Sequence, residues 1–304
     1  MSGDSCPCIP CKPAVIGAVG VMIRPYGDYS FTELIKLYED KISALDDEYD
    51  YFLLEGMTML ADLRAASLAC HKTGKPVCAV IDIDEEFLTE NELPADAALI
   101  TLQSIGISCF GVSSADEETL TDCLLRLRPF SRIPLAVNPS GGTLSDSAIT
   151  ALLSAGVDKF IGLTEDCSAR AEKIGAEKAF EQHDYEPVDS IMLANERQAF
   201  FLEPDTTEIS EGFICSPGMG EDLYEACDCG YDVLKIQINT PEDAIDFAEN
   251  AHMAVLPVMF SGDDEIAMKL ALMLYQGRAL IDRESLIDEE ELKSAAEKYG
   301  AVIY

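Results

Sequence analysis

Short apolar runs alternating with amphipathic helical stretches predict an α/β protein: an incomplete TIM-type (β/α) barrel of parallel strands, followed by a second, smaller α/β domain. Three observations carry that expectation. The first is the stretch from Asp50 to Thr58, in which Tyr51-Phe52-Leu53-Leu54 runs straight into Glu55. A continuous apolar run of that kind suits a strand buried on both faces of a parallel sheet, and an acid at its carboxyl end sits where α/β enzymes place binding groups. The second is repetition: six such strand–helix units follow one another, roughly 25 to 35 residues apart. Parallel strands joined by right-handed crossovers follow, two units short of an eight-stranded barrel. The third is a change of pattern between Glu181 and Asp189, after which a hairpin precedes renewed alternation.

Residues 1–13 are rich in Cys and Pro and are expected to form a flexible arm. Ala14–Gly20 reads as the first strand. Ser30 with Glu33 has the spacing of a capping box and opens a helix whose apolar face runs through Phe31, Leu34, Ile35, Tyr38, Ile42 and Leu45. After the central strand, Thr58 is expected to cap a helix that stops at Gly74, and Val77–Ile83 is the next strand. A helix from Glu92 to Ile105, a strand at Cys109–Val112 and a second capping box, Ser114 with Glu117, come next. Ile133–Asn138 and Lys159–Leu163 are strands around a helix from Ser145 to Ala155, and Thr164 caps the helix after them. This unit spans 14–187. In 188–304, Ile191–Leu193 and Ala199–Leu202 pair as the hairpin. Strands are then expected at Phe213–Cys215, Val233–Ile238, Val255–Phe260, Ala279–Ile281 and Ala301–Tyr304. Thr240 with Pro241 at the first helical position, and Asp288 with Glu291, mark helix starts.

Composition narrows the function. A chain of 304 residues with 48% hydrophobic content can bury a large core. The 56 acidic residues against 21 basic ones give a net charge of −35, which argues against nucleic acid or an anionic membrane as partner. With no long apolar run and no signal-peptide pattern, the expected location is cytoplasmic. The 11 cysteines are scattered and odd in number, so a disulfide framework is not expected. Cys70, Cys109 and Cys123 lie in apolar stretches and read as small buried hydrophobes. His71, His183 and His252 stand singly, on helices or linkers.

Val15–Gly20 with Arg24-Pro25-Tyr26-Gly27-Asp28-Tyr29-Ser30, then Phe52–Thr58, Gly74-Lys75-Pro76-Val77, Gly111-Val112-Ser113-Ser114 and Pro134–Gly142 keep a familiar order. Residues 14–175 resemble the homocysteine S-methyltransferase domain, the zinc-dependent barrel of methionine synthases. The resemblance begins at what would be that family's third strand. The second half resembles, less closely, the start of the pterin-binding barrel of cobalamin-dependent methionine synthase. It does so through Leu256–Phe260, Tyr275–Ile281 and Lys298–Ile303. The resemblance implies homocysteine or a related amino acid as ligand, zinc as the resident metal, and folate or cobalamin on the side of the methyl donor.

The family's chemistry needs three thiolates on zinc, which hold a substrate thiol as the nucleophilic thiolate near neutral pH. Here Gly111-Val112 continues as Ser113-Ser114, and Ile161-Gly162 as Leu163-Thr164-Glu165, so all three ligand positions carry other residues. Other metal candidates are Cys167 and the amino-terminal cluster Cys6, Cys8 and Cys11. The substrate-binding set that the resemblance implies is Glu55, for the amino group, with Ser113, Asn138 and Ser140 at the same mouth. Asp282 is the polar group placed to meet a pterin-type cofactor. Two readings stay open: a shortened methyltransferase, completed by another chain, or a non-catalytic amino-acid-binding or assembly protein. A third, an α/β domain with unrelated chemistry, finds no nucleophile–base pair. A six-unit sheet has two open edges, which a homodimer, a complementing chain or the second half would cover.

Overall fold

The computed structural model describes residues 12–45, 48–177 and 189–304. The cluster of Cys6, Cys8 and Cys11, His183, and the expected boundary at 187 lie outside them.

The first half is a run of strand–helix units: β1 (Pro13–Ile16), α1 (Phe31–Ser43), β2 (Tyr51–Leu54), α2 (Leu60–His71), β3 (Val77–Asp82) and α3 (Ala95–Ser104). It continues with β4 (Cys109–Ser114), α4 (Glu117–Leu127), β5 (Leu135–Pro139), α5 (Asp146–Ser154), β6 (Lys159–Phe160) and α6 (Glu165–Glu177). The six strands form one parallel sheet in chain order, with β1 and β6 at its edges. Side chains alternate between its faces. Phe52, Leu54, Ala79, Ile81, Phe110, Val112 and Val137 pack beneath the helices, whereas Leu53, Cys78, Val80, Cys109 and Ala136 form a separate inner cluster. Both faces are apolar, so these strands read as continuous rather than alternating runs.

The second half opens with β7 (Ile191–Asn195) and β8 (Ala199–Leu202), an antiparallel hairpin. It continues with β9 (Phe213–Ile214), α7 (Gly220–Glu225), β10 (Leu234–Gln237), α8 (Pro241–Asn250), β11 (Val258–Ser261) and α9 (Glu265–Leu274). Then come β12 (Gly277–Arg278), β13 (Leu280–Ile281), α10 (Glu289–Tyr299) and β14 (Val302–Ile303). Five strands make a second parallel sheet, again in chain order, from β9 through β10, β11 and β13 to β14. The hairpin, extended by β12, covers its inner face, where Leu193 and Leu202 meet Val233, Met259 and Leu280. No helix among the described residues is long and apolar enough to cross a membrane.

The halves pack on each other. Ala97 and Ile100 of α3 meet Met192 and Ala194 of β7. Arg64 of α2 is fully buried and donates to the carbonyls of Leu272 and Met273 and to Oε1 of Gln276, at the end of α9. Its Nε has no partner, no carboxylate is among its acceptors, and burial lowers its pKa to about 10.

Several local expectations change. Thr58 does not cap α2; Met59 holds that place, and the Thr58 hydroxyl and carbonyl accept instead from Asn91 and Thr89. Ser114 ends β4, and Asp116 caps α4, accepting from the Thr119 amide at 2.7 Å. Glu117 leaves the box to bind the amide and hydroxyl of Ser145, both at 2.6 Å, at the start of α5. The third helix starts at Ala95, because Pro94 disfavours helical backbone at Leu93 and Glu92 adopts a φ of 60°. The Ser30–Glu33 box and the Thr240–Pro241 start form as expected.

Candidate functional site

The carboxyl ends of β2 to β5 build a mouth. Asp82, Ser113 and Asn138 stand level with one another by strand register. Each lies two residues beyond an inner-face position (Val80, Gly111 and Ala136), so all three point to the concave side. Glu55 stands two residues beyond Leu53 on that face, its amide still bonded to the Ile16 carbonyl at 3.1 Å. Across the mouth, Asn138 Nδ2 donates to Glu55 Oε1 at 2.9 Å. Strands lie about 4.8 Å apart, so β2 and β5 would be roughly 14 Å apart in a flat sheet. Two short side chains bridge them only because the sheet is strongly curled. Its floor tells the same story: a Cβ on Gly111 would fall 3.0 Å from Val80 and 3.2 Å from Ala136, so side chains of β3 and β5 close over β4 there.

Asn138 is itself held. Its Oδ1 lies 2.5 Å from where a Cβ of Gly162 would stand, and Gly162 has a φ of 69°, so the chain after β6 passes close only because that residue is glycine. Ser113 is buried and faces the mouth. Ser140 is exposed on the turn after β5, tethered by its amide to the Ser114 carbonyl at 3.0 Å, and its side chain does not join Glu55. Asp82 was not anticipated. It is an exposed carboxylate level with Ser113, and the signal was present in Ile81-Asp82-Ile83-Asp84, an apolar strand ending in acid as β2 does. Below the mouth, Cys78 and Cys109 sit in register on the inner face, both buried. The neighbouring Cys109 thiol and burial together hold Cys78 protonated well above the ordinary thiol range.

The residues present do not fit the zinc that the resemblance implies. Among the described residues, no three of His, Cys, Asp and Glu converge on one point. Ser114 Oγ accepts from the Asp116 amide, and Thr164 Oγ1 from the Cys167 amide. Cys167 is fully buried in the cluster beneath the helices, its sulfur toward the Leu144 carbonyl at 4.0 Å, and does not face the mouth.

At the corresponding end of the second sheet, Gln237, Ser261 and Asp282 are level. Asp282 is nearly buried and already paired: Lys235 Nζ lies 2.6 Å from it and the Glu284 amide donates to it at 2.9 Å. His71 ends α2, and His252 lies in a 3-10 turn after α8.

No family model and no curated protein matches the chain. Among solved structures, the apo homocysteine methyltransferase MmuM from Escherichia coli is similar at a TM-score of 0.45 and 17% identity, over 55% of this chain and 62% of that one. A mandelate racemase/muconate lactonizing enzyme from Roseiflexus sp. is similar at 0.26 and 15% identity, over 87% of this chain and 51% of that one. The chain thus spans less than two thirds of either, and at these values the likeness carries no argument about chemistry.

Proposed function

We propose that this is a homocysteine-methyltransferase-like chain whose mouth still binds the amino group of a small amino acid, homocysteine or a relative, and which has lost the means of methyl transfer. The observation that supports binding is the Asn138–Glu55 hydrogen bond across the curled sheet. It fixes one carboxylate oxygen of Glu55 and leaves the other to accept from an ammonium group. Asp82 offers a second acceptor, and Ser113 a hydroxyl, on the same side. The donor set at the mouth is oxygen and amide. A ligand thiol with an ordinary pKa of about 8.5 stays mostly protonated at neutral pH when nothing holds the thiolate. The chain's own residues therefore bind and orient the amino acid without activating its sulfur. The charge of −35 fits a small cationic or zwitterionic ligand better than a polyanion.

Calorimetry with homocysteine and methionine tests this. Wild type should bind both, and Glu55→Gln should weaken both at least tenfold, about 1.4 kcal/mol. Equal heats for the two proteins would remove the reading. Stoichiometric zinc in the purified protein, with methyl transfer to homocysteine that depends on it, would favour the enzyme instead.

A further inference from the structure

A second cavity, of about 230 Å³, lies on the seam between the halves, and it shares no residue with the mouth. One wall is the segment from Ile23 to Thr32, which leads from β1 into the first turn of α1; the other is built from the β7–β8 turn, α8 and the end of α9. Its lining is mostly apolar, with Phe31, Met59, Leu270 and Leu274 among the contributors. Contacts from both halves hold it together. Arg24 reaches Glu249 at 3.6 Å, Tyr26 meets His252 edge-on at 5.6 Å, and Arg64 fastens the end of α9.

Two polar groups in this lining have no side-chain hydrogen bond among the described residues. Glu196 sits on a turn made rigid by Asn195, whose Oδ1 accepts from the amides of both Arg197 and Gln198 at 2.9 Å. None of the described residues donates a hydrogen bond to the Glu196 carboxylate or forms an ion pair with it, and burial raises its pKa. His252 Nδ1 is buried with no hydrogen-bond partner. Glu196 is half-buried, and a carboxylate partly withdrawn from water gains from a cation brought beside it. Arg24 is already paired with Glu249, and Arg197 and His252 offset the effect of burial on Glu196 only in part, which leaves its carboxylate open to a further cation. Tyr26, 55% exposed, adds an aromatic ring, a surface that attracts positive charge.

We infer that the seam cavity binds a compact organic cation: an amine carried on one ring or a branched apolar body, with its nitrogen at Glu196 and its apolar part among Phe31, Leu270 and Leu274. The size agrees, since a cavity of on the order of 150 Å³ accepts benzene. The inference is independent of amino-acid binding at the mouth.

Calorimetry on the full chain with phenethylamine tests it. Wild type should bind one equivalent. Glu196→Gln, a turn substitution that keeps the shape, should weaken binding at least tenfold. Ile245→Trp, which narrows the cavity from a side chain 44% exposed on α8, should do the same. The isosteric acid 3-phenylpropionate should bind at least tenfold more weakly than the amine. Four results would overturn the inference: no heat with wild type, unchanged affinity in Glu196→Gln, equal affinity for amine and acid, or loss of amine binding in Glu55→Gln instead.

Discussion

Two glutamates stand at two openings of this molecule, and their surroundings differ in kind. Glu55 ends a strand and receives an amide hydrogen bond from Asn138, three strands away. Glu196 sits on a hairpin turn and receives none, although its turn is tied on both sides and burial raises the pKa of its carboxyl. The first acid is positioned by the curl of one sheet, the second by the docking of two halves. A mouth built within one sheet should survive damage to the seam, and the seam cavity should not.

The sharpest way to break that contrast is Arg64→Ala. Arg64 is fully buried and satisfies three oxygens at the end of α9, so truncation orphans those acceptors and leaves a void. The expected loss is about 2–5 kcal/mol in urea unfolding. Arg64→Met, which keeps most of the volume, should lose less. In any folded fraction, phenethylamine binding should fall while homocysteine binding holds. If both sites fail together, the halves are not separable in the way the contrast requires.

A smaller change should strike the mouth alone. Gly162→Ala forces a non-glycine residue to a φ of 69° and drives its Cβ against Asn138 Oδ1. The backbone term is about 1–2 kcal/mol, and the amide must turn away from Glu55. Homocysteine binding should weaken at least tenfold, and phenethylamine binding should stay unchanged. Retained homocysteine affinity would mean that Asn138 does not orient Glu55.

The same contrast explains what could be read in the chain beforehand. All six strands of the first sheet, the hairpin and the five later strands were legible, because burial on both faces leaves apolar runs and each crossover leaves a helical period. Glu55 was legible because it interrupts such a run. Local motifs were less secure wherever a neighbour competed. Ser114 and Glu117 have the spacing of a box, yet Asp116 lies nearer the helix start and takes the amide, and Glu117 finds Ser145 28 residues on. Arg64 and Glu196 gave no signal. One is a single cation in an alanine-rich helix and the other a polar turn residue, and both acquire their roles only when the second half folds against the first.

The smallest expected effect concerns pH. Burial raises the pKa of Glu196 above its ordinary 4.5, opposed in part by Arg197 and His252. The folded protein therefore holds that proton more tightly than the unfolded chain does. The contribution is fully present below the unfolded pKa and is lost as pH rises through the folded one. Asp62, raised by burial as well, acts in the same direction, whereas Glu33, Asp116, Glu289 and Glu291, lowered by their hydrogen bonds, act oppositely. Wild type alone cannot isolate Glu196, but the difference from Glu196→Gln can. In urea unfolding from pH 4.5 upward, Glu196→Gln should gain stability relative to wild type as pH rises, then level off once wild-type Glu196 is ionised. Saturating phenethylamine should cancel that gain, because the bound cation supplies the missing partner. A difference curve flat across the range would mean that the Glu196 carboxyl is as well solvated in the folded protein as in the unfolded chain, and that the seam cavity does not withdraw it from water.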